Sequence, residues 1–169
     1  MPAYAALLRA VNLGPHNKVA MGDLRAMAED LGLTDVSTLL QSGNLVFRGT
    51  GSASKLEATL EREAERRLGL RTEFMVRTAA QWKKIVAANP FPKEAKTDPG
   101  HVVIMACKKA PPSAVKTTGA KRERVEVVGG EVYVWYPDGI GRSKLRIAGV
   151  VGTARNWNTV LKIASALGV

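Results

Sequence analysis

Apolar residues near the start of the chain form a nearly continuous run over residues 3–9, AYAALLR. Such a run predicts a central strand that is buried on both faces. After a polar loop, Leu24, Met27 and Leu31 recur at helical spacing, and Gly32 follows as a stop signal. The pattern therefore predicts a strand, a loop and an amphipathic helix.

The next segment predicts a hairpin, a second helix and a strand. Residues 36–40 and 45–47 flank a turn in which Gly43 is free to adopt a positive φ angle. A capping-box pattern at residues 54–57 opens a helix with an apolar stripe. A short strand around residues 74–76 completes the order β-α-β-β-α-β, which is that of a ferredoxin-like unit.

Proline residues mark the middle of the chain. A capping-box pattern at residues 78–81 predicts a further helix, and the stretch 90–100 that follows holds three prolines. Proline removes a backbone donor and restricts the residue before it, so this stretch is predicted to be a linker. The expected organisation is a first half over residues 1–89, the linker, and a second half over 101–169.

The second half repeats the order of the first in part. The predicted strands cover residues 101–106, 123–128 and 131–136. A short helix is expected near residues 113–117, and a last helix from about 154 to 167. The expected fold class is α+β with two ferredoxin-like halves and antiparallel sheets, the second half lacking a clear last strand.

Composition restricts the class of protein further. The chain has 169 residues, of which 46% are hydrophobic and 24% charged, as in an ordinary globular protein. It has no apolar run long enough for a membrane span and no signal-peptide pattern, so we expect a cytoplasmic location and no membrane contact. Cys107 is the single cysteine, and there are two histidines, His16 and His101. No disulfide, metal or cofactor is expected from this set.

Positive charge is concentrated towards the end of the chain. The formal net charge is +10, and it is distributed as zero over residues 1–50, +3 over 51–100 and +7 over 101–169. A basic surface attracts nucleic acid and phosphorylated metabolites, although a solvated basic face serves solubility equally well. Both interpretations stay open at this stage.

Two polar loops in the first half are candidate binding elements. Arg9, Asn12 and Lys18 follow the first strand, at a strand end where α/β proteins often build sites. The second loop, Gln41-Ser42-Gly43-Asn44, combines donors with residues that any tight turn needs, so an ordinary turn is the alternative.

The third polar segment precedes and opens the last helix. It runs from Arg142 and Lys144 to Arg155, Asn156 and Asn158. The N-terminus of a helix has unpaired N–H groups and the positive end of the helix dipole, which favour an anion. The alternative is structural, with a threonine capping the helix and the asparagines completing loop hydrogen bonds.

Catalytic patterns are scarce. Cys107 lies beside two lysines that favour a thiolate, but a lone cysteine after an apolar run is more often a core residue. The acidic cluster at Glu57, Glu61, Glu63 and Glu65 alternates with arginines on a helix, which is typical of a solvated face. No catalytic residue is identified.

At the polar loops the sequence resembles a bacterial family known as domain of unknown function 1697. The resemblance covers nearly the whole chain and is carried by LLRAVNLGPHNKVAMGDLR, TLLQSGNLVF, YPDGIGRSKL and GTARNWNTVLKIA. It implies an α+β protein with ferredoxin-like halves, and it implies no established activity, substrate or cofactor. The matching positions are Arg9, Asn12, Lys18, Gln41, Ser42, Gly43, Asn44, Arg155, Asn156 and Asn158.

Three hypotheses about function follow. The first is a protein that binds nucleic acid or a small phosphorylated ligand through its basic and amide-rich loops. The second is an enzyme acting on a small anionic metabolite, and the third is a protein-interaction module that uses a sheet edge or face. The candidate ligand-binding residues are Arg9, Asn12, Lys18, Gln41, Ser42, Asn44, Arg142, Lys144, Arg155, Asn156 and Asn158. The oligomeric state is left open.

Overall fold

Apolar strands pair into two antiparallel four-stranded sheets in the computed structural model, which describes all 169 residues. The strands are β1 (Ala3–Leu8), β2 (Thr34–Thr38), β3 (Asn44–Arg48), β4 (Phe74–Thr78), β5 (Val102–Cys107), β6 (Thr117–Thr118), β7 (Arg124–Val128), β8 (Glu131–Trp135), β9 (Arg146–Ile147) and β10 (Gly152–Asn156). The helices are α1 (Met21–Asp30), α2 (Ala53–Leu68), α3 (Ala79–Ala87), α4 (Pro92–Thr97) and α5 (Trp157–Leu167). Two single 3-10 turns lie at Pro99–His101 and Ile140–Arg142. The α+β class expected from the sequence is confirmed, and no helix is both long and apolar enough to cross a bilayer.

The chain divides into two compact units. The first contains Met1–Lys83 together with Ile163–Val169, and the second contains Lys84–Lys162. This division differs from the predicted one, because the proline-rich stretch 90–100 contains α4 and a 3-10 turn and lies within the second unit. Pro92 is the first residue of α4, where proline is favourable because the missing N–H has no partner in any case.

In the first unit the elements follow the predicted order β1-α1-β2-β3-α2-β4. The sheet order is β2-β3-β1-β4, and every neighbouring pair is antiparallel. Helix α1 buries Leu24 and Met27, and α2 buries Leu56 and Leu60, in the same core as the inward-facing residues of the sheet. The apolar spacing seen in the sequence therefore marks the buried sides of both helices.

Helix α2 begins two residues earlier than the predicted capping box. Ser52 is the N-cap, and its hydroxyl accepts a 3.2 Å hydrogen bond from the N–H of Lys55. Because Ser52 caps the helix in place of Ser54, Glu57 is not part of a capping box. Its carboxylate instead accepts the N–H of Val76 at 2.9 Å. Glu61, one turn later, accepts the N–H of Phe74 at 2.9 Å. The prediction of a wholly solvated acidic face is therefore wrong for these two residues, which bind the outer edge of β4.

In the second unit the sheet order is β10-β5-β8-β7. One face buries Val103, Cys107, Val132 and Val134 in an apolar cluster. Cys107 is thus a core residue, and its backbone N–H donates to the Glu131 carboxylate at 3.1 Å.

Three predictions for this half are wrong. No helix forms at residues 113–117, where the chain instead leads into β6, which pairs with β9. The last strand is present as β10, and α5 begins at Trp157 rather than near residue 154. The segment of β10 was hidden because its buried positions are the polar residues Thr153 and Arg155 rather than apolar ones.

Candidate functional site

The first two polar loops lie against each other in the first unit. The N–H of Leu8 donates to the carbonyl oxygen of Gly43 at 2.9 Å, and the side-chain amide of Asn12 donates to the carbonyl oxygen of Gln41 at 2.8 Å. Gly43 has a φ of 88°, and a Cβ there would lie 2.8 Å from the side chain of Val11. Glycine is therefore required at this contact, both by its backbone angle and by space.

Asn12 holds its own loop as well. Its Oδ1 accepts the N–H of Val19 at 2.9 Å, and its Nδ2 donates to the carbonyl oxygen of Val19 at 3.1 Å. The residue has a φ of 56°, a left-handed conformation that asparagine tolerates better than most residues. Asn12 is therefore a positioning residue, with its amide already engaged on both sides.

Arg9 begins the first loop, directly after β1. Its Nη1 lies 3.4 Å from Oε1 of Glu73, and both side chains are about two-fifths exposed. The carbonyl oxygen of Arg9 accepts a hydrogen bond from the hydroxyl of Thr72. The guanidinium is thus accessible, but its charge is partly balanced by a carboxylate.

The remaining predicted residues of these loops differ in exposure. Lys18, Gln41 and Ser42 are exposed, whereas Asn44 is buried. The Nδ2 of Asn44 donates to the carbonyl oxygen of Leu39 at 2.7 Å and to Oγ of Ser42 at 3.2 Å. Asn44 therefore stabilises the hairpin turn, which supports the structural alternative for this residue.

Left-handed backbone angles are concentrated in the same two loops. Ala10, Asn12, Asn17 and Leu40 all have φ between 52° and 62°. This conformation costs a residue with a side chain roughly 1–2 kcal/mol, and such residues cluster at functional sites. The backbone of the two loops is strained, and the hydrogen bonds between the loops hold it in this conformation.

Three basic residues of the second unit, Lys116, Lys144 and Arg146, lie on two segments that pair with each other. Strand β6 pairs with β9, with Thr117 opposite Ile147 and Thr118 opposite Arg146, and the N–H of Ala148 donates to the carbonyl oxygen of Lys116. Gly119 packs so closely that a Cβ there would collide with the carbonyl oxygen of Lys144. Segments 116–119 and 144–148 are therefore held side by side.

This pairing brings together more cations than the sequence analysis selected. Arg142 and Lys144, which were predicted, are both exposed. The exposed cations that were missed on the same two segments and beside them are Lys116, Lys121, Arg122 and Arg146. The sequence feature that indicates these cations is the high density of lysine and arginine over residues 108–146. The sequence does not show that these cations lie together, because the pairing of two distant segments leaves no local pattern.

Arg155 and its neighbours serve the fold. Arg155 is 7% exposed, and its Nη1 donates to Oγ1 of Thr153 at 2.7 Å and to the carbonyl oxygen of Ala154 at 2.9 Å. Burial lowers the pKa of its guanidinium to about 10. A buried side chain bonded in this way is not presented to a ligand, contrary to the prediction for Arg155.

Asn156 caps the last helix. Its Oδ1 accepts the N–H of Thr159 at 3.1 Å, which is the N-cap interaction that the sequence analysis assigned to a threonine. Thr153 lies within β10 instead. Asn158 is exposed in the first turn of α5 and stays a candidate. The predicted residues thus form two sets, one in each unit.

Other candidate chemistry is limited. Nδ1 of His101 lies 3.0 Å from Oδ2 of Asp98, which also accepts Nε1 of Trp135 at 3.3 Å. No group of three or more His, Cys, Asp or Glu side chains is placed to hold a metal ion. Tyr133 is fully buried and Trp135 packs under the guanidinium of Arg124, at 4.7 Å from the ring centroid.

A family model matches residues 1–133, which include the two joined loops and, of the two paired basic segments, 116–119 but not 144–148. The chain belongs to the family described as protein of unknown function (DUF1697). The resemblance seen in the polar loops is thus confirmed.

One solved structure covers nearly the whole chain of this DUF1697 protein. It is that of the conserved bacterial protein SP0830 from Streptococcus pneumoniae, with 20% sequence identity, a TM-score of 0.77 and 98% coverage of each chain. At this identity the likeness shows a shared fold. A search of curated proteins found no match to the chain.

Proposed function

We propose that this DUF1697 protein binds nucleic acid through the phosphate backbone, using a basic surface of its second unit. The surface is formed by Lys116, Arg142, Lys144 and Arg146, and we call it the β6–β9 surface. The pairing of β6 with β9 is the observation that carries the proposal, because it places cations from two distant segments side by side.

Both sheets are also proposed to be ferredoxin-like, since β4-β1-β3-β2 and β10-β5-β8-β7 follow the same order of strands.

The charges of this surface are available to a ligand. None of its four cations forms an ion pair, whereas the neighbouring Arg122 lies 3.5 Å from Asp138. Unpaired cations that contact phosphates displace the counterions condensed on nucleic acid, and the release of these counterions supplies most of non-specific affinity. The surface therefore suits a polyanion better than a single small anion.

The recognition should be independent of base sequence. The aromatic side chains of β8 are engaged, because Tyr133 is buried and Trp135 stacks with Arg124. Without an exposed aromatic platform, contacts to bases contribute little, and phosphate contacts dominate.

The test is fluorescence anisotropy with a labelled 20-nucleotide single strand of mixed sequence, as RNA and as DNA. We expect log Kd to rise linearly with log salt between 50 and 200 mM, with a slope set by the number of neutralised phosphates. The double variant Arg142→Gln/Lys144→Gln should weaken binding about tenfold or more and reduce the slope by about one to two. A salt-independent affinity, or none at 50 mM salt, would overturn the proposal.

A matched control removes the same charge elsewhere. Lys55 and Lys83 are exposed on helices of the first unit. Lys55→Gln/Lys83→Gln lowers the net charge by the same two units and should change the affinity less than about twofold at 150 mM salt, since distant charges are screened there. An equal loss in both double variants would show a general charge effect rather than a binding surface.

The joined loops of the first unit support a second candidate, the binding of a small phosphorylated or carboxylated metabolite. The hydrogen bond between Asn12 and Gln41 favours it, because it fixes two donor-rich loops with Arg9 and Lys18 beside them. A thermal-shift screen of anionic metabolites, with Arg9→Gln as the comparison, tests this candidate. A stabilising ligand whose effect disappears in Arg9→Gln supports it, and no shift across the screen contradicts it.

A further inference from the structure

His101 lies directly before β5, on a turn that fixes its position. Its backbone N–H donates to the carbonyl oxygen of Asp98 at 3.0 Å, and its own carbonyl oxygen accepts the N–H of Tyr136 at 2.9 Å. The ring is held as well, because Nδ1 lies 3.0 Å from Oδ2 of Asp98. The backbone and one ring nitrogen of His101 are therefore both tied to neighbouring groups.

Asp98 is itself oriented by a second donor. Its Oδ2 also accepts Nε1 of Trp135 at 3.3 Å, and the Trp135 ring packs under the guanidinium of Arg124. A carboxylate that accepts from Nδ1 selects the tautomer with its proton on Nδ1, which leaves a lone pair on Nε2. In this arrangement an aspartate orients a histidine as a general base.

The second ring nitrogen of His101 is open. Nε2 has no hydrogen-bond partner in the chain, and the side chain is 41% exposed. Gly139 lies beside it, at a position where a Cβ would be 3.4 Å from Nε2. Because glycine has no side chain, it leaves this nitrogen uncovered. The proton that such a base accepts must therefore come from a bound ligand or from water.

The turn beside His101 leads into the β6–β9 surface. After Gly139 comes the 3-10 turn Ile140–Arg142, in which the N–H of Ser143 donates to the carbonyl oxygen of Ile140 at 3.2 Å. Three residues of fully extended chain span at most about 11 Å, and a 3-10 turn is shorter. The backbone of Arg142 is therefore less than about 11 Å from that of Gly139.

The charge of this turn favours a phosphate. Arg142 is exposed and forms no ion pair. The carboxylate of Asp138 lies 3.5 Å from the guanidinium of Arg122, so its charge is already partly balanced. A phosphodiester that contacts Arg142 thus lies on the side of the turn that carries the open imidazole nitrogen.

RNA supplies the group that the base lacks. The 2′-hydroxyl of each ribose lies next to the phosphorus of the phosphodiester that follows it, so attack on that phosphorus is intramolecular and needs no second reactant. DNA has no such hydroxyl. A base that removes the 2′-hydroxyl proton therefore makes the bound RNA its own nucleophile.

We propose that His101, positioned by Asp98, is the general base of an RNA-cleaving site, an inference that rests on the proposed nucleic-acid binding and adds an activity to it. Nε2 takes the proton of the 2′-hydroxyl, the 2′-oxygen bonds to phosphorus, and the bond from phosphorus to the 5′-oxygen breaks. The 5′-oxygen takes a proton from water, and the imidazolium returns its proton to the hydroxide that remains. The products are a 2′,3′-cyclic phosphate and a 5′-hydroxyl end, and Arg142 stabilises the charge that develops on the phosphate.

The test follows the labelled RNA strand used for anisotropy, incubated with saturating full-length protein in the presence of EDTA, which inactivates metal-dependent contaminating nucleases. We expect fragments that end in a 2′,3′-cyclic phosphate, identified by mass spectrometry. The same strand as DNA, or as 2′-O-methyl RNA, should bind but stay intact, because neither can form the 2′-alkoxide.

Three variants separate catalysis from binding. His101→Ala should slow cleavage about 100-fold or more while Kd for RNA changes less than about threefold, and the retained binding shows that the protein is folded. Asp98→Asn should slow cleavage at saturating RNA about tenfold or more with Kd unchanged, because the base loses its orientation. His16→Ala is the matched control, since this other histidine is exposed in the first unit without a hydrogen bond, and it should cleave at the wild-type rate.

The outcomes distinguish this activity from the binding on which it rests. RNA that the wild type binds but does not cleave would overturn the inference and leave the binding proposal intact. RNA that is neither bound nor cleaved would overturn both. Equal cleavage by the wild type and His101→Ala, or cleavage of the DNA strand, would assign the reaction to another group or to a contaminant and would also overturn the inference. Loss of cleavage with retained binding in His101→Ala supports it.

Discussion

The side-chain amide of Asn12 donates a 2.8 Å hydrogen bond to the carbonyl oxygen of Gln41, 29 residues further along the chain. The same side chain bonds both backbone groups of Val19. One residue thus fixes the loop after β1 internally and against the turn between β2 and β3. The conformation of both loops depends on it more than on any charged residue they contain.

Replacing Asn12 should therefore destabilise the first unit. Asn12→Ala removes three hydrogen bonds, each worth about 0.5–1.5 kcal/mol, so we expect a loss of about 2–3 kcal/mol in the free energy of unfolding by urea denaturation. Asn17→Ala is the control, because Asn17 has a similar φ of 52° but no side-chain hydrogen bond. It should cost about 1 kcal/mol or less, the backbone contribution alone. Equal losses would mean that the side-chain bonds contribute nothing.

Gly119 offers a test of the β6–β9 surface that leaves charge unchanged. A Cβ at this position would collide with the carbonyl oxygen of Lys144, and φ is 73°. Gly119→Ala should therefore push segments 116–119 and 144–148 apart and weaken oligonucleotide binding about threefold or more at 100 mM salt, measured by anisotropy. Gly129→Ala has a comparable φ of 60° with open space around it, and it should leave the affinity unchanged. An affinity that Gly119→Ala does not change would show that the paired arrangement is irrelevant to binding.

The carboxylates of Glu57 and Glu61 should contribute to stability through the edge of β4. Each accepts a backbone N–H at 2.9 Å, so Glu57→Ala and Glu61→Ala should each cost about 1–2 kcal/mol, less than a fully buried charged hydrogen bond because both side chains are partly exposed. Glu61→Gln keeps the acceptor and should restore most of the loss. Glu65→Ala, which breaks an exposed pair with Arg71, should cost less than about 0.5 kcal/mol.

Faster amide exchange distinguishes this edge role from a general helix effect. Glu61→Ala should accelerate exchange at Phe74 before the rest of β4. Unchanged exchange at Phe74 would contradict the assignment.

Tyr133 should make stability depend on pH under alkaline conditions. Burial raises the pKa of its phenol above the ordinary value, and the hydroxyl donates to the carbonyl oxygen of Ile85 at 2.8 Å. The folded state therefore holds this proton more tightly than the unfolded state. Its contribution is complete below pH 10 and declines above it, by up to about 1.4 kcal/mol per pH unit.

The variant Tyr133→Phe isolates this contribution. It should cost about 1 kcal/mol at pH 7, because the Ile85 carbonyl loses its donor, and it should flatten the decline in unfolding free energy between pH 10 and 11.5. Burial also raises the pKa of Tyr136, so this residue still contributes to the decline in unfolding free energy in the variant. Parallel curves for the wild type and the variant would contradict a raised pKa at Tyr133.

The elements of the first unit could be predicted because apolar spacing alone determines them. Leu56 and Leu60 mark the buried side of α2 as clearly in the sequence as in the structure. The N-cap was misplaced by two residues, since Ser52 and Ser54 both suit a cap and only the packing of Glu57 onto β4 selects between them.

The second unit was harder to predict because its chain is held by long-range pairing of polar residues. Strand β10 alternates buried Thr153 and Arg155 with half-exposed positions, so its period of two is invisible to a hydrophobicity pattern. The pairing of β6 with β9 joins residues about 30 apart with no local signal. The same reason explains why Arg155 was predicted to bind a ligand: an arginine next to a helix start looks available until its burial is known.

Cys107, the chain's single thiol, is 3% exposed within the apolar cluster of the second sheet. A thiol-specific dye can therefore react only when that cluster opens. The rate of labelling under native conditions, compared with the rate in denaturant, measures the free energy of that opening without any engineered probe. The Cys107 sulfur is thus a natural probe of the second unit. The effect of each substitution there on the opening of the apolar cluster can be followed at this one atom.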